Sequence, residues 1–430
     1  MVVGTVIETA FVGRLGSAAL AGLTLMLPLF FTMISIINGV GTAITALVAQ
    51  AIGRRDVQEA ERIGGTAIAL GLFLGVAFAL LGVGFGHQLI RRLGATAEVF
   101  EPAWEYFFVL ALTAPVMFVA AFLRFVLQGE GDAKTPMFVM GGVMVVAMGL
   151  DWLFIFPLGQ GLRGAALSGL VSQTLAMAIM LSLLLWRGQN VVRLHWKSLM
   201  PEWRAVKAVL ALGVPNSLTQ LSMAIGSMFI NKVVASFGDA ALAAVGVGQR
   251  VDQMAVMPVM GLAAGSVAVI GMFAGAGRAD LVRKTALYAG RWAVILATVL
   301  GVVAFSLSAY VMRAFTGDEA TIAVGRHYLL YMVFSYPMMA VVLMSARILL
   351  GLNYPNLSLL IVLVRLFVLS VPVAYVTVFL FHTPIDGVWA GLVAGSVGSA
   401  ALAAWLVRWI LWGTDPTTRA TTARLPAKPA

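Results

Sequence analysis

Apolar stretches of bilayer length follow one another from Met1 to Trp412, separated by short polar punctuation. A hydrocarbon layer needs about 20 apolar residues per spanning helix, and the chain holds about twelve such stretches. They run roughly over 1–13, 18–51, 60–84, 102–128, 136–157, 164–186, 207–236, 240–274, 280–312, 321–350, 356–381 and 386–412. In lipid, backbone polar groups must be satisfied within the segment, so spans of this length are helices. The fold predicted is an all-α polytopic membrane protein of twelve transmembrane helices. Composition excludes a soluble alternative. With 61% of residues hydrophobic and 11% charged, no soluble core could hide the apolar surface.

An internal repeat orders these spans. At an offset of 222 residues, FVGRLGSAALAGL from Phe11 lies over VVASFGDAALAAV from Val233, and the same offset pairs Gly53 with Gly275, Tyr106 with Tyr328 and Pro115 with Pro337. Near the ends of the halves the register drifts by one, matching Gly164 with Gly387. Each half contains an even number of spans, so the copies enter the membrane from one side and form parallel repeats. The domains expected are an N-lobe over 1–187, a cytoplasmic amphipathic linker over 188–206, a C-lobe over 207–413 and a disordered cytoplasmic tail over 414–430. Met1 falls opposite Met223, well inside the seventh span, so the first helix reads as truncated by about sixteen residues against its repeat. A short first helix shielded by its neighbours is the alternative.

The net charge of +10 is distributed by loop. One side carries Arg54, Arg55, Lys134, Arg187, Lys197, Arg278, Arg283, Lys284 and the tail cations, and the other about half as many, which places both termini in the cytoplasm. Basicity of this pattern reports topology and implies no nucleic-acid partner. The absence of cysteine removes disulfides and thiolate metal sites, and the four histidines are far apart. No HExxH, GxSxG or phosphate-binding loop is present, so an intramembrane hydrolase or an ATP-driven pump is disfavoured, and no cofactor or metal is expected.

The chemistry must then come from ionisable residues inside the spans, where a charge costs at least about 2.5 kcal/mol. Glu8 lies five residues before Gly13 and Asp151 six before Pro157. Both fall about 8–9 Å below the outer ends of their helices, at one depth. Two carboxylates in one partly desolvated cavity favour a bound proton or other cation. Structural pairing with Arg14 or Arg163 is the plainer reading. Ser168, Gln220, Arg250 and Asp252 are secondary candidates for substrate contact, Arg250 and Asp252 being equally readable as a structural ion pair. Arg124, Arg347 and Arg365 read as gate or packing contacts. The methionines, among them Met223, Met254 and Met257, can serve an adaptable binding wall or ordinary packing. Pro115 and Pro337 mark static kinks or bending points.

ETAFVGRLGSAALAGL, VAQAIGRRD, LRFVLQGEGDAKTPM, GVPNSLTQL, FGDAALAAVGVGQRVDQM and GLAAGSVAVIGMFAGAGR, in this order and spacing, resemble the multidrug and toxic compound extrusion (MATE) transporters over essentially the whole chain. The resemblance implies a cation-coupled antiporter with essential acids at the positions of Glu8 and Asp151. Where sodium-binding relatives carry an Asn and a Thr, this chain has Ala147 and Gly169, with only Ser168 adjacent. Where the NorM-type branch carries acids on helices seven and ten, it has Met223 and the stretch around Pro337 and Met338. The pattern is therefore similar to DinF-like members, and a proton is favoured over sodium as coupling ion. The expected protein is a monomer of the cell inner membrane that exports an organic, cationic amphipathic small molecule. A flippase for a lipid-linked precursor is the alternative, and a channel or membrane scaffold a third.

Overall fold

The computed structural model describes residues 11–94, 96–186, 202–315 and 318–422. Glu8, the start of the first span and most of the expected linker lie outside them. Among the described residues the secondary structure is helical throughout, and eleven helical spans are long and apolar enough to cross a membrane.

In the first half these are α1 (Ser17–Gly53), α2 (Val57–Arg92), α3 (Ala97–Gly129), α4 (Lys134–Ile155) and α5 (Gly161–Trp186). The second half holds α6 (Trp203–Ala235), α7 (Asp239–Gly275), α8 (Ala279–Ser306), α9 (Ser308–Phe315) and α10 (Glu319–Gly351). It continues with α11 (Pro355–Leu363), α12 (Val371–Tyr375), α13 (Asp386–Arg408) and α14 (Thr418–Thr422). Aspartates at the entries of several helices accept from backbone N–H groups that would otherwise be orphaned. Asp56 takes the Glu59 N–H at 2.9 Å, Asp132 that of Thr135 at 2.9 Å and Asp318 that of Thr321 at 3.0 Å.

The chain forms two compact units, Met1–Ile52 with Asp56–Leu210, and Gly53–Arg55 with Ala211–Ala430. Small residues bring the helices together within each. In the first, a Cβ on Gly75 of α2 would lie 2.3 Å from Pro115 Cα on α3, so backbone meets backbone there. In the second, Gly387, Gly391 and Gly395 form a stripe on α13, where a Cβ would strike Thr383, Ala374 and Ser370.

Four local features differ from the reading of the sequence. The span expected over 280–312 is two helices, α8 and α9, parted at Leu307. The seventh begins at Trp203 rather than 207. The eleventh changes register: Val364–Ser370 and Val376–Leu380 are π-helical on either side of α12, as is Trp409–Gly413 after α13. Val371 N–H reaches back five residues to Leu366 O, immediately before Pro372, which has no N–H to continue an α-helical ladder. The stretch 414–422, expected within a disordered tail, contains α14. Arg419 lies 4.1 Å over the Tyr354 ring, Ala420 is fully buried, and Asp415 accepts from Thr417 N at 2.9 Å and Thr417 Oγ1 at 2.8 Å. Those Thr417 donors hold the Asp415 carboxyl below its ordinary range.

Candidate functional site

Among the described residues, each unit has a carboxylate within a span that accepts from side-chain hydroxyls. In the first, Asp151 sits one turn before the end of α4 and is 7% exposed. It meets Ser168 on α5, which is 2% exposed, and Ser168 Oγ donates to Asp151 Oδ1. The neighbouring turn brings α5 close, because a Cβ on Gly164 would lie 2.8 Å from Phe154 O. Ala147, one turn before Asp151, and Gly169 add no side-chain oxygen, so the pair offers fewer hard ligands than sodium takes.

The pair has two proton arrangements. Ser168 Oγ also lies 3.0 Å from Ala165 O, yet a serine hydroxyl has one hydrogen. An ionised Asp151 can only accept, so Ser168 donates to it. A protonated Asp151 can donate to Ser168 Oγ, which frees the Ser168 hydrogen for Ala165 O. Gain or loss of one proton would thus reverse the buried hydrogen bond between α4 and α5.

In the second unit, Asp252 on α7 accepts from two tyrosines of α10: Tyr328 Oη donates to Asp252 Oδ2, and Tyr336 Oη to Oδ1 at 2.6 Å. Tyr328 and Tyr336 are eight residues apart with Met332 between them, one stripe of the helix, and all three are buried. Glycines make room for both rings. A Cβ on Gly248 would come within 2.5 Å of the Tyr328 ring, and one on Gly301 of α8 within 2.5 Å of that of Tyr336. Trp389 packs edge-on against Tyr328 at 4.9 Å between centroids. Arg365 lies within electrostatic reach of Tyr328 from the π-helical segment, and its Nε has no hydrogen-bond partner among the described residues.

Of the sequence candidates, Asp151 and Ser168 come together. Asp252 finds tyrosines where an ion pair with Arg250 was an equal expectation; residues two apart do not share a helix face, and Arg250 is exposed. Gln220 is half-buried on α6 and takes no part in the Asp252 cluster. Sequence reasoning missed Tyr328 and Tyr336 as the donors to Asp252. The signal available was the stripe Tyr328, Met332 and Tyr336 facing glycines on two other helices.

The MatE family model matches residues 1–153 and again 215–376, one match in each half. The probable multidrug resistance protein YoeA of Bacillus subtilis is 25% identical over 414 residues, covering 93% of this chain and 88% of its own. An FAD transporter of Shewanella oneidensis is 25% identical over 85% of this chain and 82% of its own. The multidrug export protein MepA of Staphylococcus aureus is 26% identical over 75% and 73%. Among solved structures, an outward-facing multidrug resistance MATE family transporter of the MOP superfamily superposes with a TM-score of 0.91 at 26% identity, over 96% of this chain and 92% of that one. A MOP superfamily transporter from Pyrococcus furiosus, described by the reverse polarity of its binding pocket, gives 0.90 at 26% identity, over 95% and 92%.

Proposed function

The chain belongs to the MatE family of membrane transporters, and from that premise we propose that it is a proton-coupled antiporter that exports organic, cationic amphipathic compounds. The observation that carries this reading is the buried hydrogen bond of Asp151 and Ser168 between α4 and α5. A buried carboxyl that can take up and release a proton while changing the bonding between two spanning helices is a means of linking protonation to conformation. Such linkage requires that proton and substrate compete, or that they favour different conformations; tight binding alone shifts nothing.

Within the proposal Asp151 holds the coupling proton, Ser168 orients it, and Glu8, outside the described residues, is the second acid of the site. The donor set around Asp151 supports a proton over sodium and a DinF-like assignment. Asp252 with its tyrosines supports a second polar centre, where a cationic substrate group would find a carboxylate. Within the proposal both termini face the cytoplasm of a cell whose inner membrane holds the protein, a reading supported by the loop charges. The lipid-linked-precursor reading draws no support from the relatives above.

Purified protein in proteoliposomes, given a panel of organic cations under separately imposed pH and sodium gradients, tests this. Uptake driven by the pH gradient alone is expected. Transport that follows the sodium gradient alone overturns the coupling ion, and transport confined to anions overturns the substrate class.

A further inference from the structure

The second unit contains a groove of about 880 Å³ between α8, α10 and α13, remote in sequence from Asp252 and unused by the proposed transport cycle. Its walls are apolar along Gly290, Ile295 and Met344, and its cationic groups are Arg291 and Arg408. This volume is at the upper end of the range for small-molecule sites. Both arginines are exposed, and neither forms an ion pair or hydrogen bond among the described residues. The nearby cations differ. Arg283 donates to Leu411 O at 2.5 Å and lies beside Asp415, while Arg278 is engaged by Asp280 at 3.0 Å.

The level of the groove in the membrane follows from the rings around it. Tyr288, Trp292, Trp405, Trp409 and Trp412 are 48–67% exposed, on α8 and at the end of α13. Exposed Trp and Tyr with apolar bodies and polar edges collect at the lipid headgroup boundary. Arg291 and Arg408 lie among them in sequence, and Trp412 lines the groove itself. From this belt the apolar wall continues inward through Val294 and Ile295. Two cations among these rings, beside an apolar channel one side of which is exposed, match an amphiphile with an anionic head and a hydrocarbon tail.

We propose that this groove seats an anionic glycerophospholipid of the surrounding bilayer, its phosphate held by Arg291 and Arg408 and an acyl chain laid along Gly290, Ile295 and Met344. Basic pockets between spanning helices bind anionic headgroups in this manner, by charge. The lipid then joins α8, α10 and α13 as a filler, in the half of α10 that runs toward Gly351.

Native mass spectrometry of the full chain in detergent, titrated with phosphatidylglycerol and separately with phosphatidylcholine, tests the assignment. Wild type is expected to retain phosphatidylglycerol in preference. Arg291→Gln and Arg408→Gln should each lower its retention about fivefold at low salt and leave phosphatidylcholine unchanged. Because these side chains are exposed, the variants should fold; Ile295→Trp, which fills the channel without altering charge, should lower retention of both lipids. Equal retention of the two lipids by wild type, or a double arginine variant with its preference intact, overturns the proposal.

Discussion

A carboxylate inside a membrane span is rare enough that Asp151 stands out from the sequence alone, and its partner Ser168 is 17 residues away on the next helix. The other acid behaves differently. The donors to Asp252 are 76 and 84 residues distant and belong to a residue type that disappears into an apolar run. If Asp151 carries the coupling proton, Asp151→Asn should abolish gradient-driven export at near-normal expression, since the replacement is nearly isosteric. Ser168→Ala should weaken export less, because the carboxyl itself remains. Combining Asp151→Asn with Glu8→Gln should add little to either alone, as expected for groups acting as a unit. Transport assays on matched amounts of protein decide this, and unimpaired export by Asp151→Asn would make that carboxylate structural. At Asp252 the expectation concerns stability: Tyr336→Phe leaves one buried acceptor oxygen short of its donor, at about 1–3 kcal/mol. Thermal unfolding in detergent should show a lowered midpoint for Tyr336→Phe, and a larger drop for the double variant with Tyr328→Phe. An unchanged midpoint in both would mean that water replaces the tyrosines.

Among the helices, spans were legible because hydrocarbon thickness fixes their length, whereas their interruptions depend on a few backbone groups. Pro372 was visible in the sequence, yet whether a proline kinks a helix or shifts it into π register depends on which carbonyls the preceding N–H groups can still reach. Val371 settles this by bonding to Leu366 O. The ordering of 414–422 was equally hidden, since it rests on Tyr354, far away in sequence, receiving Arg419. Close helix contacts could be anticipated from Gly and Ala repeats, but not which glycine bears the contact. Gly75 does, with Pro115 Cα at 2.3 Å from a Cβ built on it, and Gly149 does not, with nothing within 4 Å. Gly75→Ala should therefore destabilise the first unit by about 1–3 kcal/mol through overpacking. Gly149→Ala should be neutral or stabilising, since alanine is the better helix former by about 1 kcal/mol. Comparison of the two midpoints in one detergent removes the common effect of glycine replacement, and a Gly75→Ala protein as stable as Gly149→Ala would show that α2 and α3 part freely.

At the scale of the whole chain, the repeat reveals how two copies of one architecture diverged. Allowing for the drift of one residue, Asp151 and Ser168 correspond to Ala374 and Gly391. Those residues also touch: a Cβ on Gly391 would lie 2.7 Å from Ala374 N. The contact is kept and its chemistry is not. Conversely, Asp252 and Tyr336 correspond to Phe30 and Ala114, while Tyr328 keeps its tyrosine partner in Tyr106. Each half has thus placed a carboxylate where the other is apolar, so the two polar centres are not duplicates and cannot share one role by symmetry. The same repeat makes the expected topology testable. If the halves are parallel, the α3–α4 and α7–α8 loops share one side of the membrane, the side that the census of Arg and Lys over all loops assigns to the cytoplasm in the proposed reading. In this cysteine-free chain, single cysteines can report the arrangement. Lys134→Cys and Lys284→Cys, both at exposed positions, should resist an impermeant thiol reagent in intact cells and react after lysis. Leu158→Cys, between α4 and α5 and 53% exposed, should react in intact cells. Opposite labelling of Lys134→Cys and Lys284→Cys would break the parallel repeat itself, while labelling of both in intact cells, with Leu158→Cys protected, would keep the repeat and invert the protein in the membrane.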